Sequence, residues 1–332
     1  MLHLSSVRES RHTDISRGQG RSAVAAAAYR AGERIEETTT GLVYDYTRKS
    51  GVDHTEILTP EEAPEWTHDR QQLWNAVEQG EKRRDAQLAR EIEVGLPLEL
   101  DRDAQRILLC DFIRREFVSE GMIADCAIHR SDDNNPHAHI LLTLRRLHEN
   151  GFGPKERAWN ARSKLLTWRM GWEEMANEHL RRTGLAVRID HRTLEAQGIQ
   201  LTPGRKIGVS LERQHSPDLP PRIAERVADQ RGIAQENGDR ILANPRTALE
   251  AIAHGQPTFT ARDIEKFLST RTLGTEQFIA AYQKVLTSPE LLELGQDLYT
   301  FEHLQHRPDI EDDLIVDHED PSDDLDDDPE LP

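Results

Sequence analysis

A stretch with two histidines, HAHILLTL at 137–144, constrains the fold more than any other part of the sequence. Side chains at positions i and i+2 of a strand point to the same face, so His137 and His139 share one face. The alternate positions carry apolar side chains and form the other face: Ala138, Ile140, Leu142 and Leu144. We expect this apolar face to pack against helices and the histidine face to be the open one.

A second strand is predicted upstream at DCAIHR (125–130), and the turn-rich segment SDDNNP joins the two strands into a hairpin. If His129 pairs opposite His137 or His139, all three imidazoles lie on one face, because both alignments keep the same parity. A slip of one residue would turn His129 to the buried side. The hairpin therefore predicts a cluster of three histidines in either of the two alignments.

Three neutral imidazoles can hold one divalent metal ion and leave positions open for water or phosphate, as catalytic metal sites do. The residues do not choose among Mg, Mn and Zn, because imidazole suits transition metals whereas phosphate chemistry often uses Mg. An ordinary strand with two histidines on its open face also explains the His-x-His pattern. The third histidine across the hairpin is what favours a metal site.

The first 214 residues alternate strand-like and helix-like segments in the order β-α-ββ-α-β-α-ββ. Runs of adjacent strands are typical of antiparallel sheets, so the predicted fold class is α+β, with about five antiparallel strands and helices packed on one face. The other predicted strands are 2–7, 87–97, and a hairpin of 42–46 with 53–58. The predicted helices are 23–37 with Ser22 as its cap, 65–83, one that begins at Asp101, and 168–184.

The chain divides into three parts. Residues 1–214 form the predicted α+β domain, and a Pro-rich break precedes a small helical region at 215–310. Residues 311–332 carry 12 acidic and no basic side chains and are predicted to be a disordered tail. The tail accounts for most of the net charge of -18, because residues 1–215 carry only -2. The acidic balance of the whole chain therefore does not exclude a nucleic-acid partner for the first domain.

Three side chains outside the hairpin are candidates for chemistry. Tyr29 lies among alanines on a predicted helix, and small neighbours would let a large substrate approach its hydroxyl; packing against the core is the alternative. Glu91 and Glu93 lie on one face of a predicted strand, where a pair of like charges raises the pKa of at least one carboxyl group, as a general base requires. A nearby divalent cation would instead keep both ionised, and a solvated strand face explains the pair without any chemistry.

Several classes of protein are disfavoured. No apolar run approaches the length of a membrane-spanning helix, so membrane insertion is not expected. The phosphate-binding motif Gly-x-x-x-x-Gly-Lys-Ser/Thr does not occur, which disfavours an NTPase motor. The chain has two cysteines, too few for a disulfide framework, and we expect a cytoplasmic protein.

Four segments, in order along the chain, resemble mobilisation relaxases of the MobA/MobL type, which belong to the HUH endonucleases. These segments are SRGQGRSAVAAAAYRAGE (16–33), AREIEVGLP (89–97), AIHRSDDNNPHAHILLTLR (127–145) and DHRTLEAQG (190–198). Such an enzyme cuts and rejoins one strand of plasmid DNA at a transfer origin. The helical region 215–310 is similar to the region that follows the relaxase domain in TraA-like conjugation proteins, where a helicase comes next.

The resemblance implies a role for each candidate residue. Tyr29 would attack the scissile phosphate and form a 5′-phosphotyrosyl link, and Glu91 or Glu93 would act as base. One divalent ion, Mn or Mg with Zn possible, would be held by His129, His137 and His139. Single-stranded DNA at the transfer origin would be the partner, with relaxosome accessory proteins and a coupling protein as further partners.

Other residues are candidates for DNA contacts, and other functions stay open. Arg17 and Arg21 flank a glycine-rich turn and could meet DNA phosphates or be solvated loop arginines. Trp159, Trp168 and Trp172 are candidates for base stacking or core packing. The alternative functions are a rolling-circle replication initiator of the HUH class, a non-catalytic module that binds origin DNA, and a metal-dependent hydrolase of small phosphate esters.

Overall fold

The computed structural model describes residues 11–131, 135–148, 151–204 and 219–302. The strands are β1 (Arg11–Ser16), β2 (Arg34–Glu37), β3 (Leu42–Asp45), β4 (Val52–Leu58), β5 (Gln87–Gly95), β6 (Ala124–His129), β7 (His137–Leu142), β8 (Arg145–His148), β9 (Gly151–Lys155), β10 (Thr258–Thr260), β11 (Leu291–Gly295) and β12 (Leu298–Phe301). The α-helices are α1 (Ala23–Ala31), α2 (Arg70–Gly80), α3 (Arg102–Glu116), α4 (Arg162–Arg182), α5 (Pro221–Ala243), α6 (Arg246–Gly255), α7 (Ala261–Ser269) and α8 (Gly274–Leu286). Short 3-10 helices lie at Arg17–Gln19, Glu65–His68, Val118–Glu120 and Arg157–Asn160.

A five-stranded sheet in the order β1-β5-β7-β6-β4 forms the centre of the N-terminal part. Every neighbouring pair of its strands is antiparallel, which confirms the predicted α+β class and strand number. The histidine strand β7 lies in the middle of the sheet, between β5 and β6. Within the described residues, none of the helices is both long and apolar enough to span a membrane.

The predicted apolar face of β7 is buried as expected. Ala138, Ile140 and Leu142 pack in one cluster with side chains of α3 and α4. Three tryptophans complete this core and are at most 3% exposed: Trp159, Trp168 and Trp172. The suggestion that these rings stack on DNA bases is therefore wrong, since an indole surrounded by core side chains presents no face to a ligand.

Helices also lie on the opposite face of the sheet, where the sequence predicted an open surface. Helices α1 and α2 pack there in a second cluster that includes Ala89 and Leu141. The reason is the small side chains of α1, since Ala27 and Ala28 are fully buried and let the helix backbone approach the strands closely. This second layer covers part of the face that carries the histidines and brings the tyrosine helix next to them.

The first predicted helix is too long, because it ends at Ala31 instead of residue 37. Gly32 follows with a φ of 68°, in the left-handed region that ends many helices, and its N–H donates to the Ala28 carbonyl. The next residues turn back as strand β2, which pairs with β3. Gly32 indicates the end of the helix in the sequence, but the helical spacing of the alanines and glutamates around it favoured a longer helix.

The predicted hairpin of 42–46 with 53–58 is also wrong. Strand β4 instead joins the main sheet beside β6. Both segments form strands, as their alternating patterns predicted. However, two strands joined by a short loop need not pair with each other, and these two do not. The predicted strand 2–7 lies outside the described residues, and β1 is an edge strand of the main sheet.

The second helical layer is anchored by a buried carboxylate. Asp125 of β6 accepts hydrogen bonds from the Arg70 guanidinium at 2.8 and 2.9 Å and from the Trp74 indole N–H at 2.8 Å. The side chains of Arg70 and Asp125 are only 9% and 6% exposed. This network fastens α2 to the sheet.

Asp125→Ala should lower the free energy of unfolding by about 3 to 5 kcal/mol, because it removes the buried partner of the Arg70 guanidinium, which keeps only Glu33, and leaves the Trp74 indole N–H without its acceptor. Urea unfolding followed by circular dichroism measures the loss. Asp85→Ala is the matched control, since Asp85 pairs with Arg83 on the surface and its loss should leave the midpoint unchanged. Equal effects of the two changes would contradict the anchoring role.

The C-terminal part, residues 219–302, is not purely helical as predicted. It combines α5 to α8 with a three-stranded sheet in the order β10-β12-β11. Strands of three to five residues are too short to show a clear alternation in sequence. Leu194, from the segment 190–198, and Ile199, which follows that segment, pack into the core of this part. The predicted acidic tail, 311–332, lies outside the described residues.

Candidate metal and tyrosine site

The β6–β7 hairpin brings the three predicted histidines together. His129 of β6 is the direct register partner of His137 of β7, and His139 of β7 lies opposite Ala127 of β6. This is one of the two alignments that keep the imidazoles on one face. One ring nitrogen from each histidine lies within 4.8 Å of those of the other two, a spacing at which they could hold one metal ion.

The three rings form a compact triangle whose orientation is set by hydrogen bonds. The ring centroids are 4.7 to 5.6 Å apart. His137 Nδ1 lies 2.9 Å from the Asn135 carbonyl oxygen, and His139 Nδ1 lies 2.8 Å from Glu91 Oε1. Contacts of this kind with a carbonyl or a carboxylate fix the tautomer and direction of metal-binding imidazoles.

The electrostatics of the cluster suit a cation. Burial lowers the pKa of His129 to about 4, so its imidazole is neutral at neutral pH and can act as a ligand. Burial alone would raise the pKa of Glu91, but its hydrogen bonds with His139 and Arg30 outweigh this and lower it to about 2. The site therefore combines a neutral nitrogen donor at His129 with the ionised carboxylate of Glu91, which contacts His139 and is paired with Arg30.

The two predicted carboxylates occupy different positions. Glu91 forms an ion pair with Arg30, whose Nη2 donates to Oε2 at 2.7 Å, while its other oxygen meets His139. The expectation of a raised pKa is therefore not met at Glu91. Glu93 is half-buried and lies directly opposite His139 across β5 and β7. Glu91 thus contacts His139 through its side chain, and Glu93 is the direct register partner of His139.

Tyr29 lies on the last turn of α1, and its side chain is 44% exposed. The ring packs against the edge of Tyr46, with centroids 5.2 Å apart. Lys49 connects this ring to the histidines, because its Nζ is 3.8 Å from the Tyr29 ring centroid and 3.4 Å from His129 Nε2. The structure therefore brings the predicted tyrosine beside the predicted imidazoles.

Two basic residues of the site were missed by the sequence analysis. Arg30 follows Tyr29 directly, so its position beside the candidate tyrosine was a usable signal. Lys49 gave no such signal, because a loop distant in sequence places it. Burial and the positive charge of Arg30 lower the pKa of Lys49 to about 8, which keeps most of its ammonium groups charged at neutral pH.

The two arginines predicted to contact DNA differ in their surroundings. The Arg17 guanidinium donates to the carbonyl oxygens of Glu78, Glu81 and Arg83 and forms an ion pair with the Glu78 carboxylate. These bonds brace the C-terminal end of α2, and the DNA contact of Arg17 stays a prediction. Arg21 is exposed just before α1 and stays a candidate for a phosphate contact.

Together, fold and site define a class of protein: a helix-covered antiparallel sheet with a histidine cluster and an adjacent tyrosine. A model of the MobA/MobL family matches residues 21–216, more than half of the chain. The chain therefore belongs to the MobA/MobL family of mobilisation proteins, which confirms the resemblance seen in its motifs.

Individual relatives agree with this membership. The probable conjugal transfer protein TraA of Sinorhizobium fredii is 35% identical over 321 residues, and the match covers 86% of this chain and 29% of that protein. The mobilization protein MobL of Acidithiobacillus ferridurans is 38% identical over 228 residues, which is 58% of this chain and 60% of that protein. The chain thus spans less than two thirds of the length of either relative.

A solved structure also matches. It was described under the molecular basis of vancomycin resistance transfer in Staphylococcus aureus and is 37% identical to this chain. The superposition has a TM-score of 0.53 and covers 55% of this chain and 97% of the other. The similarity therefore concerns a substantial part of the present chain and nearly all of its neighbour.

Proposed function

We propose that this protein is a relaxase that nicks one DNA strand at a plasmid transfer origin and later rejoins it. The observation that carries the proposal is the cluster of three imidazoles on one face of the sheet with Lys49 in contact with both His129 and the ring of Tyr29 on α1. Membership of the MobA/MobL family and the conjugal transfer names of its relatives support it. The proposed substrate is single-stranded origin DNA, and relaxosome accessory proteins and a coupling protein are proposed partners.

The donor set fits a divalent metal ion. His129, His137 and His139 would hold the ion, which when bound would polarise the scissile phosphate and offset its negative charge. Three protein nitrogens leave coordination positions for phosphate oxygens, as catalytic sites require. The carboxylate of Glu91 behind His139 is the support that such ligands usually have.

The proposed reaction is a transesterification. Tyr29 Oη attacks the phosphorus, a new P–Oη bond forms, and the bond from phosphorus to the 3′-oxygen breaks. The phenolic proton is taken by a base, and the leaving 3′-oxygen acquires a proton. Rejoining runs the same steps backwards, so the phosphoester bond energy is kept in the covalent link and no nucleotide cofactor is needed.

The proton acceptor is assigned to Glu93 within this proposal. Glu91 is already bonded through both oxygens to Arg30 and His139, which makes it a poor base. Glu93 lies on the same face, opposite His139, and its carboxylate is half-buried. Glu91 is then a positioning residue for the metal ligand.

The test is a denaturing gel. The protein is incubated with Mn²⁺ or Mg²⁺ and a single-stranded oligonucleotide that carries the transfer origin of its own plasmid. We expect a protein band shifted by covalently attached DNA, together with a shortened strand that ends in a 3′-hydroxyl. Binding without any cut would contradict the enzyme and favour an origin-binding module, and free cleaved strands without an adduct would favour a hydrolase.

Glu91→Gln should weaken Mn²⁺ binding by about 10- to 100-fold, because the neutral amide holds the His139 imidazole less firmly than the carboxylate does. Isothermal titration calorimetry of the metal with the protein alone measures this change without DNA. Glu178→Gln is the matched control, since Glu178 pairs with Arg181 and Arg182 on the surface of α4. Unchanged affinity in the Glu91 variant would contradict a supporting role for this carboxylate.

A further inference from the structure

The loop between β3 and β4 docks on the end of the histidine strand β6. Gly51 has a φ of 82°, and a Cβ added there would lie 2.5 Å from the Ser131 hydroxyl and 3.0 Å from its backbone nitrogen. The Arg130 N–H donates to the Gly51 carbonyl at 2.7 Å. The loop is therefore held in close backbone contact with the residues that follow His129, at a position that only glycine fits without strain.

This docking carries Lys49 into the site. Its Nζ donates to the Tyr29 carbonyl oxygen at 2.7 Å and lies 3.8 Å from the centroid of the same residue's ring. It is also 3.4 Å from His129 Nε2. The side chain is half-buried, which strengthens the electrostatic attraction between an ammonium and an aromatic ring.

Two cations of the described residues lie near the Tyr29 ring, and a carboxylate from these residues neutralises one of them. The Arg30 guanidinium is 5.2 Å from the ring centroid, but its charge is offset by the ion pair with Glu91. Among the described residues, no carboxylate oxygen lies within 4.0 Å of Lys49 Nζ. Within this part of the chain, the positive charge beside the tyrosine that no carboxylate pairs with is therefore that of Lys49.

We propose that Lys49 positions Tyr29 and stabilises the negative charge that its oxygen carries during strand cutting and rejoining. This inference rests on the proposed function. Charge develops on the phenolic oxygen when its proton leaves before attack, and again when this oxygen departs from phosphorus as the strand is rejoined. Lys49 neither donates nor accepts a proton during cutting or rejoining, and it acts through its charge and its two contacts with Tyr29.

The test compares three variants in single-turnover cutting of the origin oligonucleotide. Lys49→Met keeps the length of the side chain and removes its charge, whereas Lys49→Arg keeps the charge. Lys82→Met is the matched control, because it removes one positive charge from an exposed loop after α2. DNA affinity is measured separately by fluorescence anisotropy without metal, and thermal unfolding checks that each variant is folded.

We expect the rate constant for adduct formation to fall at least about tenfold in Lys49→Met, with the dissociation constant for DNA changed less than about threefold. Lys49→Arg should recover most of the rate, and the control should cut like the original protein. The inference is overturned if Lys49→Met cuts at the original rate, if it loses affinity as much as rate, or if Lys49→Arg is as slow as Lys49→Met. Failure of the proposed function is distinguishable, since the original protein would then form no adduct.

Discussion

Tyr29→Phe should abolish the covalent protein–DNA adduct, with the rate of cutting reduced at least about 10⁴-fold. The change removes one oxygen atom, the proposed nucleophile, and keeps the ring that contacts Tyr46 and Lys49. DNA affinity should stay within about threefold, because most of the binding energy comes from phosphate contacts over a wider surface. The measurement is the denaturing gel, combined with an anisotropy titration of the same oligonucleotide.

Tyr46→Phe is the matched control for this experiment. The centroid of its ring lies 5.2 Å from that of Tyr29, so it is a second phenol in the same neighbourhood. We expect this variant to form the adduct at a rate close to that of the original protein. An adduct that persists in Tyr29→Phe and disappears in Tyr46→Phe would move the nucleophile to Tyr46.

His139→Ala should abolish metal-dependent cutting and reduce Mn²⁺ affinity by at least about 100-fold, because it removes one of three nitrogen donors. It also leaves the buried carboxylate of Glu91 without one of its partners, so a modest loss of stability should accompany the effect. Calorimetric titration with Mn²⁺ gives the affinity, and the adduct gel gives the activity. DNA binding without metal should change much less than cutting.

His68→Ala is the control for the histidine experiment, since His68 is exposed at the end of the 3-10 helix Glu65–His68 and belongs to none of the clusters of potential metal ligands among the described residues. It should bind Mn²⁺ and cut DNA like the original protein. If His139→Ala keeps its metal affinity, the three imidazoles do not form the metal site. If it keeps the affinity and loses only the cutting, the imidazole acts on the substrate directly.

The parts of the site that follow from strand geometry could be predicted from sequence. The parity argument limited His129 to two useful alignments with His137 and His139, and the structure has one of them. The apolar side of β7 was equally predictable, because alternation in a strand leaves no other place for Ile140. These inferences succeeded because they depend on a period of two and on the hairpin joining neighbouring strands.

The parts that depend on long-range packing could not be predicted. Lys49 reaches the site only because Gly51 lets its loop approach Ser131, a contact between residues eighty positions apart. The contacts of Arg17 depend on where the end of α2 lies in the folded protein, and the sequence around Arg17 does not predict that position. The sign of the pKa shift at Glu91 likewise required its partners, since an acidic pair in isolation predicts the opposite direction.

Arg30 links the two halves of the site within a single residue. Its backbone carbonyl lies 2.7 Å from His129 Nε2, its guanidinium binds Glu91, and its peptide neighbour is Tyr29. The helix that carries the phenol therefore cannot slide or rotate without pulling on the imidazoles. In a relaxase, these contacts would hold the covalently attached DNA end next to the metal site while the strand is transferred. The attached end would then be in position for rejoining when the other end of the strand arrives.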